Sequence, residues 1–245
     1  MQTFLKYFSI IFIVISIVSC QFNEKINLNN DGSGTYTLNM DMSAMMEAMQ
    51  KMGDSTDIED PEVFDTIINF NDFLIEKKDS ITKLPKEEQE KLQSLKDMKL
   101  HVATDETKGT FLMDFVFDFK NLNELKDIQN KISKGSSINE KKNEESPISP
   151  TDVRFSFDGN KFERKVIEKD LTDEQKEAYE KSMEETSSYM DEMTYSLEYH
   201  FPKPIKSCSF KNAKYSADRK TLYIDTSLKT ITENPKFLSF TVILE

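Results

Sequence analysis

Met40, Met42, Met45, Met46, Met49 and Met52 crowd one short stretch of the chain. Thioethers are soft ligands that select Cu(I), so copper is one chemistry such a cluster allows. Met45, Met49 and Met52 fall at i, i+4 and i+7 with Ala48 on the same side, which is the apolar face of a helix. Packing is therefore the leading reading. Contact with a partner, a lipid or an apolar ligand comes second, because flexible methionine suits adaptable surfaces. No histidine accompanies the cluster, which weighs against copper. His101 and His200 are the two histidines of the chain, and no Cys-x-x-Cys or His-x-x-x-His pair is present, so ligand supply argues against zinc. Both histidines fall opposite the apolar faces of expected strands, which implies solvated side chains. Asn27, Asn29, Asp31 and Gly32 have the spacing of a calcium loop. Its twelfth position would be Leu38, where a bidentate carboxylate is required, so a hairpin turn explains the same residues.

Catalytic patterns are missing. There is no Gly-x-Ser-x-Gly, no phosphate-binding Walker loop and no Gly-x-Gly-x-x-Gly. Pairs such as Glu144 with Glu145 and Glu184 with Glu185 are expected by chance among 44 acidic residues. Cys208 has no nearby histidine to activate it. The expectation is a non-enzyme with no catalytic residue, no cofactor and no metal.

Cys20 carries a different chemistry. Lys6 precedes an apolar run from Phe8 to Val18, which closes on Ile17-Val18-Ser19-Cys20. A secretory core runs roughly 7–15 residues while a spanning helix needs about 20, so this run reads as a removed signal. The closing tetrad resembles a bacterial lipobox. That resemblance implies cleavage before Cys20, lipidation of Cys20 with acyl chains such as palmitate, and a membrane anchor. Gln21 after the cysteine favours the outer over the inner membrane where enterobacterial sorting applies. The expected organisation is a signal peptide over 1–19 and one extracytoplasmic domain over 20–245, in the periplasm or cell envelope.

The net charge is −12, and −13 once Lys6 leaves with the signal. Such a chain repels nucleic acid, which is excluded as a partner. Cys20 is consumed by lipid, so Cys208 has no partner for a disulfide. Stability must come from a core, supplied by 18 Phe, 12 Met and 8 Tyr.

These residues must be positioned by regular elements. Phe22 to Met42 predicts a hairpin: Phe22, Glu24, Ile26 and Leu28 share one face, as do Tyr36, Leu38, Met40 and Met42, with Asn29 to Gly34 as the turn. Ser43 predicts a helix start running to Met52. Pro61 predicts a second helix to about Lys78, and Pro85 to Met98 a third, with Leu92 and Leu95 inward. Lys99 to Phe119 predicts a hairpin in which Phe111, Met113, Phe115, Phe117 and Phe119 share one face, packed under helices. Asn121 to Ser133 has helical spacing of Leu122, Leu125, Ile128 and Ile132. Lys134 to Pro150 is polar and predicts a flexible excursion. Val153 to Ile167 predicts a hairpin turned at Asp158-Gly159-Asn160. Thr172 with Gln175 predicts a capping box for a helix to Met190. Strands follow over Met193 to Phe201, Thr221 to Leu228 and Leu238 to Leu244. The expected fold class is α+β: an antiparallel sheet built from β-hairpins and covered by amphipathic helices.

Two stretches carry a family resemblance. Asp31-Gly32-Ser33-Gly34-Thr35-Tyr36 between strands, directly after the lipidated cysteine, resembles the opening of LppM-type envelope lipoproteins. The strand ending in His200-Phe201-Pro202, followed by Ser216 to Leu222, is similar to their closing section. The resemblance covers about a third of the mature chain and implies a lipid-anchored extracytoplasmic α+β domain, some members being linked to binding amphiphiles. It implies no catalytic residue. The expected function is a non-catalytic envelope lipoprotein that binds an apolar ligand or an envelope partner, with Met45, Met49 and Met52 as candidate contacts. A structural or assembly component and a copper-handling protein are the alternatives.

Overall fold

Alternating apolar and polar residues build β1 (Gln21–Leu28) and β2 (Gly34–Asp41), which pair antiparallel with Ile26 opposite Tyr36. A computed structural model describes residues 21–44, 63–126, 128, 131–132, 149–190 and 193–245. The expected signal over 1–19, Cys20 and the contacts Met45, Met49 and Met52 lie outside the described residues, as does most of the 134–150 excursion. In the turn, Gly32 takes a φ of 83° and the Ser33 amide donates to the Asp31 Oδ1 at 3.0 Å. Gly34 is needed for a different reason. A Cβ there would lie 2.1 Å from the Asn27 carbonyl oxygen and 2.7 Å from the Phe119 ring.

Residues Val63–Asn69 form strand β3, antiparallel to β4 (Met98–Asp105), which corrects the single helix expected from Pro61. Val63, Phe64, Thr66, Ile67 and Ile68 are β-branched or aromatic, and the open edge of β4 satisfies their backbone. Only the second half of that expectation is helical: α1 (Phe70–Glu76) starts where the Asn69 side chain accepts from the Asn71 amide. With α2 (Lys78–Ile81) and α3 (Lys86–Gln93) it buries Leu74, Ile81 and Leu92 in a small satellite cluster. The helix expected to run to Met98 stops at Gln93, and Met98 opens β4. β5 (Thr110–Phe119) completes the hairpin.

The remaining strands are β6 (Thr151–Phe157), β7 (Lys161–Glu168), β8 (Thr194–His200), β9 (Ile205–Cys208), β10 (Lys214–Tyr215), β11 (Thr221–Ser227) and β12 (Phe240–Leu244). β6 and β7 form the expected hairpin, with Gly159 at a φ of 98° in its turn. The capping box of α4 (Asp173–Met190) forms as expected: the Thr172 amide donates to the Gln175 side chain, and the Gln175 amide to the Thr172 hydroxyl.

Among the described residues the strands make two sheets. The larger has eight in the order β10-β11-β8-β1-β2-β5-β4-β3, the smaller four in the order β6-β7-β12-β9. One pair, β1 with β8, is parallel, so the large sheet is mixed where a purely antiparallel one was expected. The chain is mainly β, and this corrects the expected helical cover. Phe115, Phe117 and Phe119 share one core with Phe155, Phe162, Phe240 and Val242 of the small sheet. Leu122, Leu125, Ile128 and Ile132 join the same core from the segment after β5, as their spacing predicts. The reason is supply of apolar faces. β6 and β12 each present a nearly or fully apolar row and β7 adds Phe162 and Val166 on either side of Arg164, whereas the charged α4 leaves most of its described residues exposed.

Candidate functional site

Strand register gathers one end of the large sheet. The starts of β1, β5, β3 and β8 and the ends of β2, β4 and β11 all lie there, because Gln21 pairs Asp41 and Thr194, Asp41 pairs Leu112, and Asp105 pairs Thr110 and Val63. Directly paired residues share a face. Phe22, Met40, Met113, Val102, Phe111 and Phe64 therefore lie on the inner face at this end. Farther along the same face Phe115 and Phe117 are buried, but these residues are half-exposed, and Phe64 is 45% exposed. Edge strand β3 adds Val63 at 69% and Ile67 at 70% exposure on the opposite face. Among the described residues β3 is the outermost strand, and an apolar margin of this kind at a sheet edge is a feature of binding surfaces.

Met40 packs against the core, so for this member of the methionine group packing is observed. Met42 is half-buried, and its amide donates to the Phe111 carbonyl at 2.9 Å. Ser43 ties the same corner, its Oγ accepting from the Phe111 amide at 3.0 Å.

The sheets are joined by a buried polar network that sequence reasoning missed. Glu24 on β1 is 1% exposed and Arg164 on β7 is 2% exposed. The Arg164 Nη2 donates to the Glu24 Oε2 at 3.3 Å, its Nε to the Tyr199 hydroxyl at 3.0 Å, and its Nη1 to the Leu238 carbonyl at 2.9 Å. The Tyr195 hydroxyl donates to the Glu24 Oε2 at 2.5 Å, and the Tyr199 hydroxyl donates to the Glu24 Oε1. Burial, reinforced by the Glu24 carboxylate, pushes the Tyr36, Tyr195 and Tyr199 hydroxyls well above the usual tyrosine range. Burial opposes the Arg164 charge, but Glu24 together with Tyr199 and Tyr195 outweighs it and holds the guanidinium above its ordinary range. A signal was visible: Glu24 is in phase with Ile26 and Leu28, and Arg164 with Phe162 and Val166. Charges on apolar faces of two strands call for each other.

The histidines depart from the simple solvated reading. The His101 Nδ1 lies 3.1 Å from an Asp114 oxygen and its Nε2 lies 2.9 Å from Asp65, so it clasps β3 and β5 from β4. These hydrogen bonds, Asp114 first and then Asp65, raise its pKa above the ordinary histidine value. His200 is bonded through Nδ1 to the Thr221 hydroxyl at 3.0 Å. The Cys208 thiol is half-buried, and burial raises its pKa, which disfavours the nucleophilic thiolate. In the 27–32 stretch Asn27 and Leu28 end β1, and residues 29–32 lie in the β1–β2 turn.

No family model matches the chain, and no curated protein matches it. Among solved structures, the NMR structure of the LppM folded domain from Mycobacterium tuberculosis is similar over 92% of this chain and 89% of that one, at 8% identity and a TM-score of 0.41. This is a distant structural resemblance.

Proposed function

We propose that the protein is a non-catalytic lipoprotein of the cell envelope, anchored through Cys20, that engages an apolar ligand or an envelope partner at the open end of its large sheet. The carrying observation is the half-exposed row Phe22, Met40, Met113, Phe111 and Phe64 at the end where β1 begins with Gln21. Gln21 directly follows Cys20, so a lipid on that cysteine leaves little tether between bilayer and fold. An anchored chain needs no basic patch to stay at a membrane, which reconciles the net charge of −12 with a membrane address. A second reading is strand addition by a partner protein, favoured by the exposed Val63 and Ile67 on β3, the outermost strand among the described residues.

The test is a photo-crosslinking residue placed in cells at Phe64 or at Met113, with position 223 on the outer face as control. The expected result is Cys20-dependent crosslinking at the first two positions, to an acyl-chain species for ligand binding or to one protein for strand addition. Equal labelling at all three positions, or labelling unchanged by Cys20→Ala, refutes the proposal.

A further inference from the structure

A concave feature lies away from the apolar end. A recess of about 390 Å³ is lined by Leu122, Asn123, Lys126, Arg154, Phe155, Ser156, Glu163 and Lys165. It forms where the turn after β5 (Leu122–Leu125) meets the β6–β7 hairpin. The turn follows Phe119, and β5 starts at Thr110 beside the open apolar end, so the recess belongs to the opposite end of that strand.

Its chemistry runs against that of the whole chain. Three cations face one carboxylate in the recess, while the full chain carries −12. Glu163 is already paired with Lys161 at 3.4 Å. Asp152 lies 3.7 Å from the Arg154 Nε, close enough to orient the guanidinium and too far for a hydrogen bond. Lys126 and Lys165 have no carboxylate partner among the described residues. Arg154 pairs with Lys165 and Ser156 with Glu163 across the hairpin, so these four side chains stand together on the face opposite Phe155 and Phe162. That alternation is locked by Arg164, which lies between Glu163 and Lys165 and is fixed inward by Glu24, Tyr199 and Leu238.

We infer that this recess binds a phosphoryl-type anion. Cationic donors on Lys126, Arg154 and Lys165 and the Ser156 hydroxyl line the recess from two elements. A tetrahedral oxyanion can accept from several sides at once, whereas a carboxylate offers two oxygens. Arginine's planar fork matches phosphate oxygens. Leu122 adds apolar surface to the lining, and the volume lies within the range of small-ligand sites, so an organic substituent on the phosphate is accommodated.

The full chain, purified in a nonionic detergent, is titrated with inorganic phosphate by calorimetry against chloride at equal ionic strength. One-site saturable binding is expected. Arg154→Gln and Lys165→Gln should each weaken it about tenfold. Lys206→Gln, an exposed cation on β9 at the far edge of the small sheet, should leave it unchanged. Far-UV circular dichroism checks that each variant is folded. A second arm adds micelles containing phosphatidylglycerol. Failure of these micelles to displace phosphate identifies a free anion as the source. Displacement, or binding to the micelles alone with the same variant dependence, identifies a lipid headgroup. No binding above the chloride control with either probe, or equal weakening by Lys206→Gln, overturns the assignment.

Discussion

Replacing Glu24 alone should be among the most destabilising single changes in the protein, and replacing its partner as well should undo most of the damage. Arg164 is buried and holds one carboxylate, one hydroxyl and one carbonyl. Glu24→Leu leaves its charge in the core with only the two neutral acceptors. Breaking a buried pair in this way costs about 3–5 kcal/mol. Arg164→Met leaves the Glu24 carboxylate with two tyrosine donors, so it falls at the lower end, about 3 kcal/mol, including the Leu238 carbonyl left without its donor. The double variant removes both charges, and apolar replacements of buried pairs are often close to neutral. It should therefore be more stable than the Glu24→Leu single, where independent sites would give a loss of about 6–8 kcal/mol. The assay is equilibrium urea unfolding of the four proteins. With a slope of roughly 2–3 kcal/mol per molar, Glu24→Leu lowers the midpoint by roughly 1–2.5 M. Single losses that simply add within about 0.5 kcal/mol would refute the idea that these residues act as one unit across the two sheets.

Two further predictions concern pH. Tyr36, Tyr195 and Tyr199 keep their protons in the folded state well beyond the ordinary range because burial and then Glu24 oppose the phenolate. Above about pH 10 the unfolded chain loses these protons first, so stability falls as pH rises. Absorbance titration should show at least three tyrosines ionising only with unfolding; titration of every tyrosine with native circular dichroism retained would contradict this. His101 has a raised pKa from Asp114 and then Asp65, with Lys99 on the same strand face directed to Asp118. Its contribution is complete below about pH 6.5, the unfolded value, and is lost as pH rises through the higher folded value. Hydrogen exchange in β3, corrected for intrinsic pH dependence, should report weaker protection above that window, and His101→Gln should abolish the pH dependence.

Local order was legible in the residue pattern where it depends on neighbours in sequence. Period-two alternation gave the β1–β2, β4–β5 and β6–β7 hairpins, Asp-Gly pairs marked the tips of the first and third, and Thr172 with Gln175 marked the start of α4. β3 was misread because Pro61 is a helix-start signal, while the hydrogen bonds that make Val63–Asn69 a strand come from β4, roughly 35 residues later in the chain. Short β9 and β10 have too few residues to show a period.

By itself, the sequence determined the chemistry that is available: an apolar core rich in phenylalanine, Cys208 as the one cysteine besides Cys20, and a lipobox-like setting of Cys20. It also determined which face of each strand is apolar, since side chains must alternate. What covers those faces was decided by tertiary structure alone. A second sheet, rather than the expected helices, lies against the large one, because sheet-on-sheet contact joins strands distant in the chain. The same distance hid the meeting of Glu24 with Arg164, 140 positions apart. It also hid the cationic recess, which exists only where the turn after β5 is folded against β6.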